Sequence, residues 1–336
     1  MKRLSRSAAL MLLATVVLGG CATGAGTLRA PATGDATATA AAAFLLAGQS
    51  AYFAVDIAGN RELAAYLINA LDANAERVLS RVEIIAGSLN LSMPGSSAFS
   101  GAATGRFPEG GTRFVLWRDR RFRRTVQRSD GDRLVYYQQR DGSLEVAVIE
   151  RGVILVSNES VADLSRRADP AAAIAPAERP DAETVRIIGS VGMPGGPDLA
   201  LVMPDPAAVL TGRLGLDIPR FPLKQIVLEA VVTEDRERAA AAPVAVGGDA
   251  TAPTSPAVSL VLNGTFEFES ETEAALFGRL SRVFVLGFVR SLGLDTTNLR
   301  DTVEIEVDGA AIVFAGVPLT PEELLGLTYR LSGQES

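Results

Sequence analysis

Most enzyme chemistry draws on a short set of side chains, and this chain lacks most of them. Its 336 residues include no histidine and a single cysteine, Cys21; past the first twenty residues Lys224 is the only lysine. Those absences together remove Ser-His-Asp and Cys-His catalysis, imidazole metal sites, lysine Schiff bases and the Walker lysine. Carboxylates remain. A carboxylate-only mechanism needs two facing acids in distinct environments, and one sequence pairs none. A carboxylate-dependent hydrolase is therefore a remote alternative, and no catalytic residue or cofactor is expected. Glu267, Glu269, Glu271 and Glu273 alternate along a strand end and turn, yet the Asp/Asn-Gly spacing of a calcium loop is missing. They read as a charged sheet edge that discourages strand pairing, and no metal is expected. The run from Pro94 to Gly101 does not form a Gly-x-Ser-x-Gly elbow and is assigned to a turn.

Two segments are suited to binding. The first contains Trp117, Arg118, Arg120, Arg121, Arg123 and Arg124, on a helical stretch predicted over Thr112 to Arg124. Such a cationic patch beside aromatic rings suits anionic lipid headgroups; the competing reading is a solvated helix face whose arginines pair with neighbouring acids. Arg140, Arg151, Arg166 and Arg167 extend either version. The second is a helix predicted over Ala274 to Leu292, apolar nearly all round, in which Leu276, Leu280, Phe284 and Phe288 are candidate walls of an apolar groove. A helix of that character is also what a central core requires.

These segments need a scaffold and an address. The chain opens with Lys2, Arg3 and Arg6, an apolar run from Ala8 to Leu18, and then Gly19-Gly20-Cys21. That is the layout of an export signal, with an apolar run about half the ~20 residues a membrane-spanning helix needs. The segment Leu18-Gly19-Gly20-Cys21 resembles the lipobox of bacterial lipoproteins. The resemblance implies cleavage before Cys21, lipid on its sulfur and a membrane partner. With Ala22 rather than Asp following, it also implies an outer-membrane destination facing the periplasm. More generally the chain resembles uncharacterised envelope lipoproteins of double-membraned bacteria, of the kind found in spirochaetes. With one cysteine, no intramolecular disulfide forms.

Residues 1–20 are thus read as signal and 21–46 as lipidated cysteine and flexible tether, since 22–43 is almost entirely Ala, Thr and Gly. Removing the signal leaves 29 basic against 39 acidic residues, a net charge of −10, which disfavours nucleic acid as a partner. Prolines recur through 169–196, read as a linker between a first unit, 47–168, and a second, 197–333. The halves resemble each other in order: Ala51–Ile57 against Leu199–Met203, followed by helical segments Asn60–Leu71 and Ala207–Leu214; then Arg81–Leu89 against Leu223–Val232 and Ser100–Phe107 against Val261–Phe266, followed by helical segments Thr112–Arg124 and Thr272–Leu292; then hairpins turning on Gly152 and on Asp308-Gly309. Each unit reads β-α-β-β-α-β-β-α, an α+β design with an antiparallel sheet and helices on one face. The second unit carries an insertion, 238–256, read as disordered. Thr320-Pro321-Glu322-Glu323 supplies an N-cap, a first-turn proline and a capping-box acid for the last helix.

The expected function is that of a non-catalytic, membrane-anchored envelope lipoprotein, a binding or assembly module with a protein or lipid partner in the periplasm. A carrier or sensor of a hydrophobic ligand is the alternative.

Overall fold

Two apolar strands, one from each half, meet at the centre of the molecule. The computed structural model describes residues 37–71, 81–93, 96–129, 132–149, 152–167, 179–206, 222–234, 258–292 and 303–332, with isolated residues between them. Its strands are β1 (Ala51–Asp56), β2 (Val82–Met93), β3 (Ser96–Gly105), β4 (Phe122–Ser129), β5 (Asp132–Gln139), β6 (Glu145–Ile149), β7 (Val153–Ser157), β8 (Leu199–Met203), β9 (Leu223–Glu234), β10 (Val258–Phe268), β11 (Glu304–Asp308) and β12 (Ala311–Leu319). Its helices are α1 (Thr37–Ala42), α2 (Arg61–Leu71), α3 (Glu109–Arg118), α4 (Val161–Arg167), α5 (Ala182–Gly189), α6 (Glu271–Gly278), α7 (Ser281–Ser291) and α8 (Pro321–Ser332).

The molecule is α+β with a large antiparallel sheet, as its sequence implies. The two sets of strands are not separate layers. Strand β1 pairs antiparallel with β8, Ala54 opposite Ala200, and fuses both halves into one twelve-stranded sheet. From that joint the order runs β2-β3-β7-β6-β5-β4 to one side and β9-β10-β12-β11 to the other. Strands matched in sequence therefore hold equal rank on the two sides, with the β4–β5 hairpin extra. A buried edge rich in Ala, Val and Leu would invite pairing; joined edge to edge, the two halves satisfy each other's backbone.

Side chains alternate across the sheet. On one face Tyr52, Ala54, Ala86 and Leu155 are buried with residues of α1, α4 and α5. On the other, α2 and α3 cover β6 and β7 through Ala64 and Leu116, while α2, α6 and α7 meet Ile226, Leu260 and Phe266. Helix α8 adds Leu324 to that second layer. Helices on one face thus describe the second half; over the first half and the joint, both faces are covered.

Five segments differ from their sequence reading. The run from Pro94 to Gly101, read as a turn, is strand from Ser96 onward, because it pairs with β2 as the start of β3. Within the expected tether, residues 37–46 carry α1 and bury Phe44 and Leu45. Within the expected linker lies α5, which buries Ile187 and Ile188 and is capped by Asp181, whose Oδ1 accepts from the Thr184 N–H at 2.8 Å. Both were hidden by an Ala- and Pro-rich composition that averages out a short amphipathic pattern. The helix predicted over Thr112 to Arg124 ends at Arg118, and Phe122 starts β4, pairing with β5. The helix predicted to Leu292 is broken at Arg279 and Leu280 into α6 and α7. Cys21, the helical segment Ala207 to Leu214 and the insertion 238–256, save Pro256, lie outside the described residues.

Candidate functional site

The surface above the second half is built from α6 and α7. Ser270 caps α6, its Oγ accepting from the Glu273 N–H at 3.3 Å and donating to the Glu273 carboxylate at 2.9 Å. That reciprocal pairing explains where the helix begins. Glu273 is thus a capping acid and Glu267 is ion-paired with Lys224; the glutamates read as a charged sheet edge are divided between β10, its exit and α6, and β10 is no edge, since Glu267 stands between Gln225 of β9 and Ala311 of β12.

The four residues singled out as a groove do not line one. Phe284 and Phe288 turn inward, each with its ring centroid 4.9 Å from Phe266 in an edge-on arrangement, and Phe266 in turn lies 5.5 Å from Phe314. Leu276 and Leu280 turn outward, each 63% exposed, and Val283 joins them at 72%. These three form an apolar ridge across the α6–α7 break, with Arg279, Arg282 and Arg290 exposed beside it. A helix expected to be buried all round is instead amphipathic, because no third layer covers it among the described residues.

In the first half α3 occupies the matching position after β3. Phe114 and Trp117 are exposed there, 53% and 63%, with ring centroids 5.9 Å apart. The arginines beyond Trp117 are brought close in sequence but not onto one face. Arg118 closes α3 and Arg120 stands in the turn. Arg121 is held by Asp119 through Nε and Nη2 at 2.9 and 2.6 Å. That hydrogen-bonded guanidinium is the chief reason the Asp119 carboxyl lies below its ordinary range. Arg123 and Arg124 sit on β4 and project to opposite faces: Arg123 donates to Gln138 Oε1 at 2.8 Å, whereas Arg124 lies opposite Tyr137. Part of the cationic charge is thus locally paired, and the remainder flanks the aromatic pair.

Two acid networks, one buried and one half-buried, escaped the sequence reading. Glu145, 9% exposed, accepts from the Val161 N–H at 3.1 Å and from Gln138 Nε2 at 3.2 Å, so it ties β6 to the start of α4. At the joint, Asp198 accepts from Asn60 Nδ2 at 2.8 Å and the Val232 N–H at 2.7 Å, while Asp56 accepts from the Gly59 N–H at 3.0 Å. Burial, more than the neighbouring Asp198, pushes the Asp56 carboxyl up, against the lowering effect of the Gly59 N–H. Here are two acids in different environments, but Asp198 is committed to β9 and to Asn60, the residue before α2, and closes the strand joint. The only sequence clue to either network was the identity of single acids at strand ends.

No family model matches the chain, and no curated protein matches it. Among solved structures it is similar to TP0453 of Treponema pallidum in three crystal forms. For form III the TM-score is 0.56 at 14% identity, covering 86% of this chain and 97% of that one. Form I gives 0.55 at 15%, with 88% and 98% covered, and form IV 0.54 at 16%, with 86% and 96%. At such identities it is the fold that is shared, along nearly the whole of TP0453.

Proposed function

We propose that this chain is a lipid-anchored, non-catalytic envelope protein that binds at a membrane surface, tethered through Cys21 and applied to the bilayer by the helices above its sheet. The observation that carries the reading is the outward ridge of Leu276, Leu280 and Val283, bordered by arginines. Exposed apolar side chains grouped in this way and rimmed by positive charge suit the boundary between headgroups and acyl chains. The exposed Phe114–Trp117 pair, with Arg118 and Arg120 beside it, offers a second contact of the same kind. The equal rank of matched strands on either side of the β1–β8 joint supports reading the halves as two copies of one unit.

Lipid on Cys21 would supply a stable hold, since two or more acyl chains anchor where one is marginal. The helices would then set which face meets the bilayer. The test is fractionation of cells expressing the natural chain or Cys21→Ala, with the mass of the mature N-terminus measured. Acyl mass and recovery with outer-membrane markers, lost in the variant, are expected. An unmodified cysteine, with both proteins in the periplasmic fraction, overturns the anchor.

A further inference from the structure

The sheet ends in β11 on one side and β4 on the other, with no further strand beside either among the described residues. An end strand carries a row of backbone donors and acceptors that a further strand can take up. Every neighbouring pair in the sheet is antiparallel, so the twelve strands alternate in direction and the two end strands run opposite ways. A second copy set beside the first, with the same face up, therefore brings its β11 antiparallel to the first copy's β4. The two ends also differ in charge. Strand β11, Glu304 to Asp308, holds three acids and no base, and Glu304, Glu306 and Asp308 are exposed with no ion-pair partner among the described residues. Strand β4, Phe122 to Ser129, holds three arginines and no acid. Like charge along an edge repels a second copy of the same edge, whereas the acidic edge and the basic edge attract each other.

The apolar side chains of the two edges match as well. Val307 lies under α6, where a methyl group at Gly278 would meet it, and Phe122 is buried with Leu116 of α3 on the same sheet face. Alternation puts Val126 on the face of Phe122 and Ile305 on that of Val307. Val126 and Val307 are 41% and 40% exposed, so each edge leaves one large apolar side chain open on the shared face. Backbone direction then limits the register. The Arg140 N–H donates to the Arg121 carbonyl at 2.9 Å, so by alternation the backbone groups of Arg124 and Val126 point away from β5. The hairpin closes on the pair Asp308 and Ala311, which leaves the backbone groups of Ile305 and Val307 pointing away from β12. Outward groups meet outward groups when Val126 stands opposite Ile305. The same register sets Arg123 opposite Asp308 and Thr125 opposite Glu306, on the other face.

We propose that the partner of these edges is a second copy of this chain, β11 of one copy adding antiparallel to β4 of the next, with Arg123 meeting the acids of β11 and Val126 meeting Ile305. The joint is head to tail, so each assembly keeps a free β4 and a free β11 and grows with concentration. It uses neither the apolar ridge nor Cys21. The full-length chain in detergent at low ionic strength, followed by sedimentation with the detergent density-matched, is expected to show a mass that rises with protein concentration. Arg123→Glu with Arg124→Glu makes both edges acidic, and Glu306→Arg with Asp308→Arg makes both basic. Either pair of changes should weaken association about tenfold or more, and mixing the two variants should restore it. Both variants should melt as the natural chain does, since the changed side chains are exposed. In a Cys21→Ala background, a Thr125→Cys chain and a Glu306→Cys chain should join by a disulfide on oxidation, across a pair whose Cα atoms stand about 4.5 Å apart, and neither should join with itself. The proposal is overturned if the mass stays that of one chain, if association survives either charge reversal, if the mixture fails to restore it, or if the cysteine chains join with themselves as readily as with each other.

Discussion

If the ridge over α6 and α7 rests on a membrane, replacing Leu276, Leu280 and Val283 together by serine should weaken binding to vesicles without harming the fold. The three side chains are 63%, 63% and 72% exposed, so they contribute little to the core. Full burial of such a side chain is worth about 1.5–3 kcal/mol, and roughly two-thirds of each is available, or about 1–2 kcal/mol apiece. If an interface covers about half of that area, the three together supply roughly 1.5–3 kcal/mol, equivalent to about a 10- to 150-fold change in partition. The assay is co-sedimentation of the chain from Ala22 onward, which keeps every described residue and carries no lipid, with vesicles containing phosphatidylglycerol. Val126→Ser and Val231→Ser serve as controls, since these valines are 41% and 37% exposed but lie on strands away from the ridge. Equal binding by the triple variant and the natural chain would refute the reasoning, as would an equal loss in the controls.

Other consequences follow from the interior. The Asp56 carboxyl, raised above 3.8 by burial, takes up a proton more readily in the folded chain than in the unfolded one. Stability from this group therefore increases as pH falls from the raised value to 3.8, and at neutral pH its charge is a cost. Asp56→Asn should raise the melting temperature at neutral pH, with the gain vanishing below about pH 3.8, as a series of thermal melts against pH would show. Glu145→Leu leaves the Val161 N–H and Gln138 Nε2 without their acceptor and should lower unfolding free energy in urea by about 1–3 kcal/mol, whereas Glu145→Gln should cost less. At Gly264 a methyl group would meet the Phe314 ring at 2.3 and 2.4 Å and Leu228 at 2.9 Å. Gly264→Ala should therefore destabilise by about 1–3 kcal/mol on calorimetry, and pairing it with Phe314→Leu should recover part of the loss.

How much of this was legible from the sequence follows the range of the interactions. Local signals survived folding intact: Thr320 and Glu323 form the reciprocal cap read from their spacing, with the Thr320 N–H 2.8 Å from Glu323 Oε2 and the Glu323 N–H 3.2 Å from Thr320 Oγ1. Gly309 takes the positive φ, 56°, that the Asp308-Gly309 hairpin needs. Strand alternation was legible for the same reason. What composition obscured was helix in alanine- and proline-rich stretches, where α5 needed only Thr184, Ile187 and Ile188 in register with the core. The arginines of 118–124 carried the helical reading too far, because charge density says nothing of period, whereas the pairing of Phe122 to Ser129 with β5 depends on residues beyond the turn. The apolar helix gave no sign of its break or of which side faces out, because inward and outward positions are both filled by Leu, Val and Phe; the Phe266 cluster decides it by taking Phe284 and Phe288. The candidate surfaces were harder still. Phe114 and Trp117 are two aromatic residues three apart in a short helix, and their exposure appears only when the fold turns Leu116 of the same helix inward. Residues that serve the fold announce themselves by pattern with their neighbours in sequence, while residues that bind are assembled from distant segments, each ordinary where it stands.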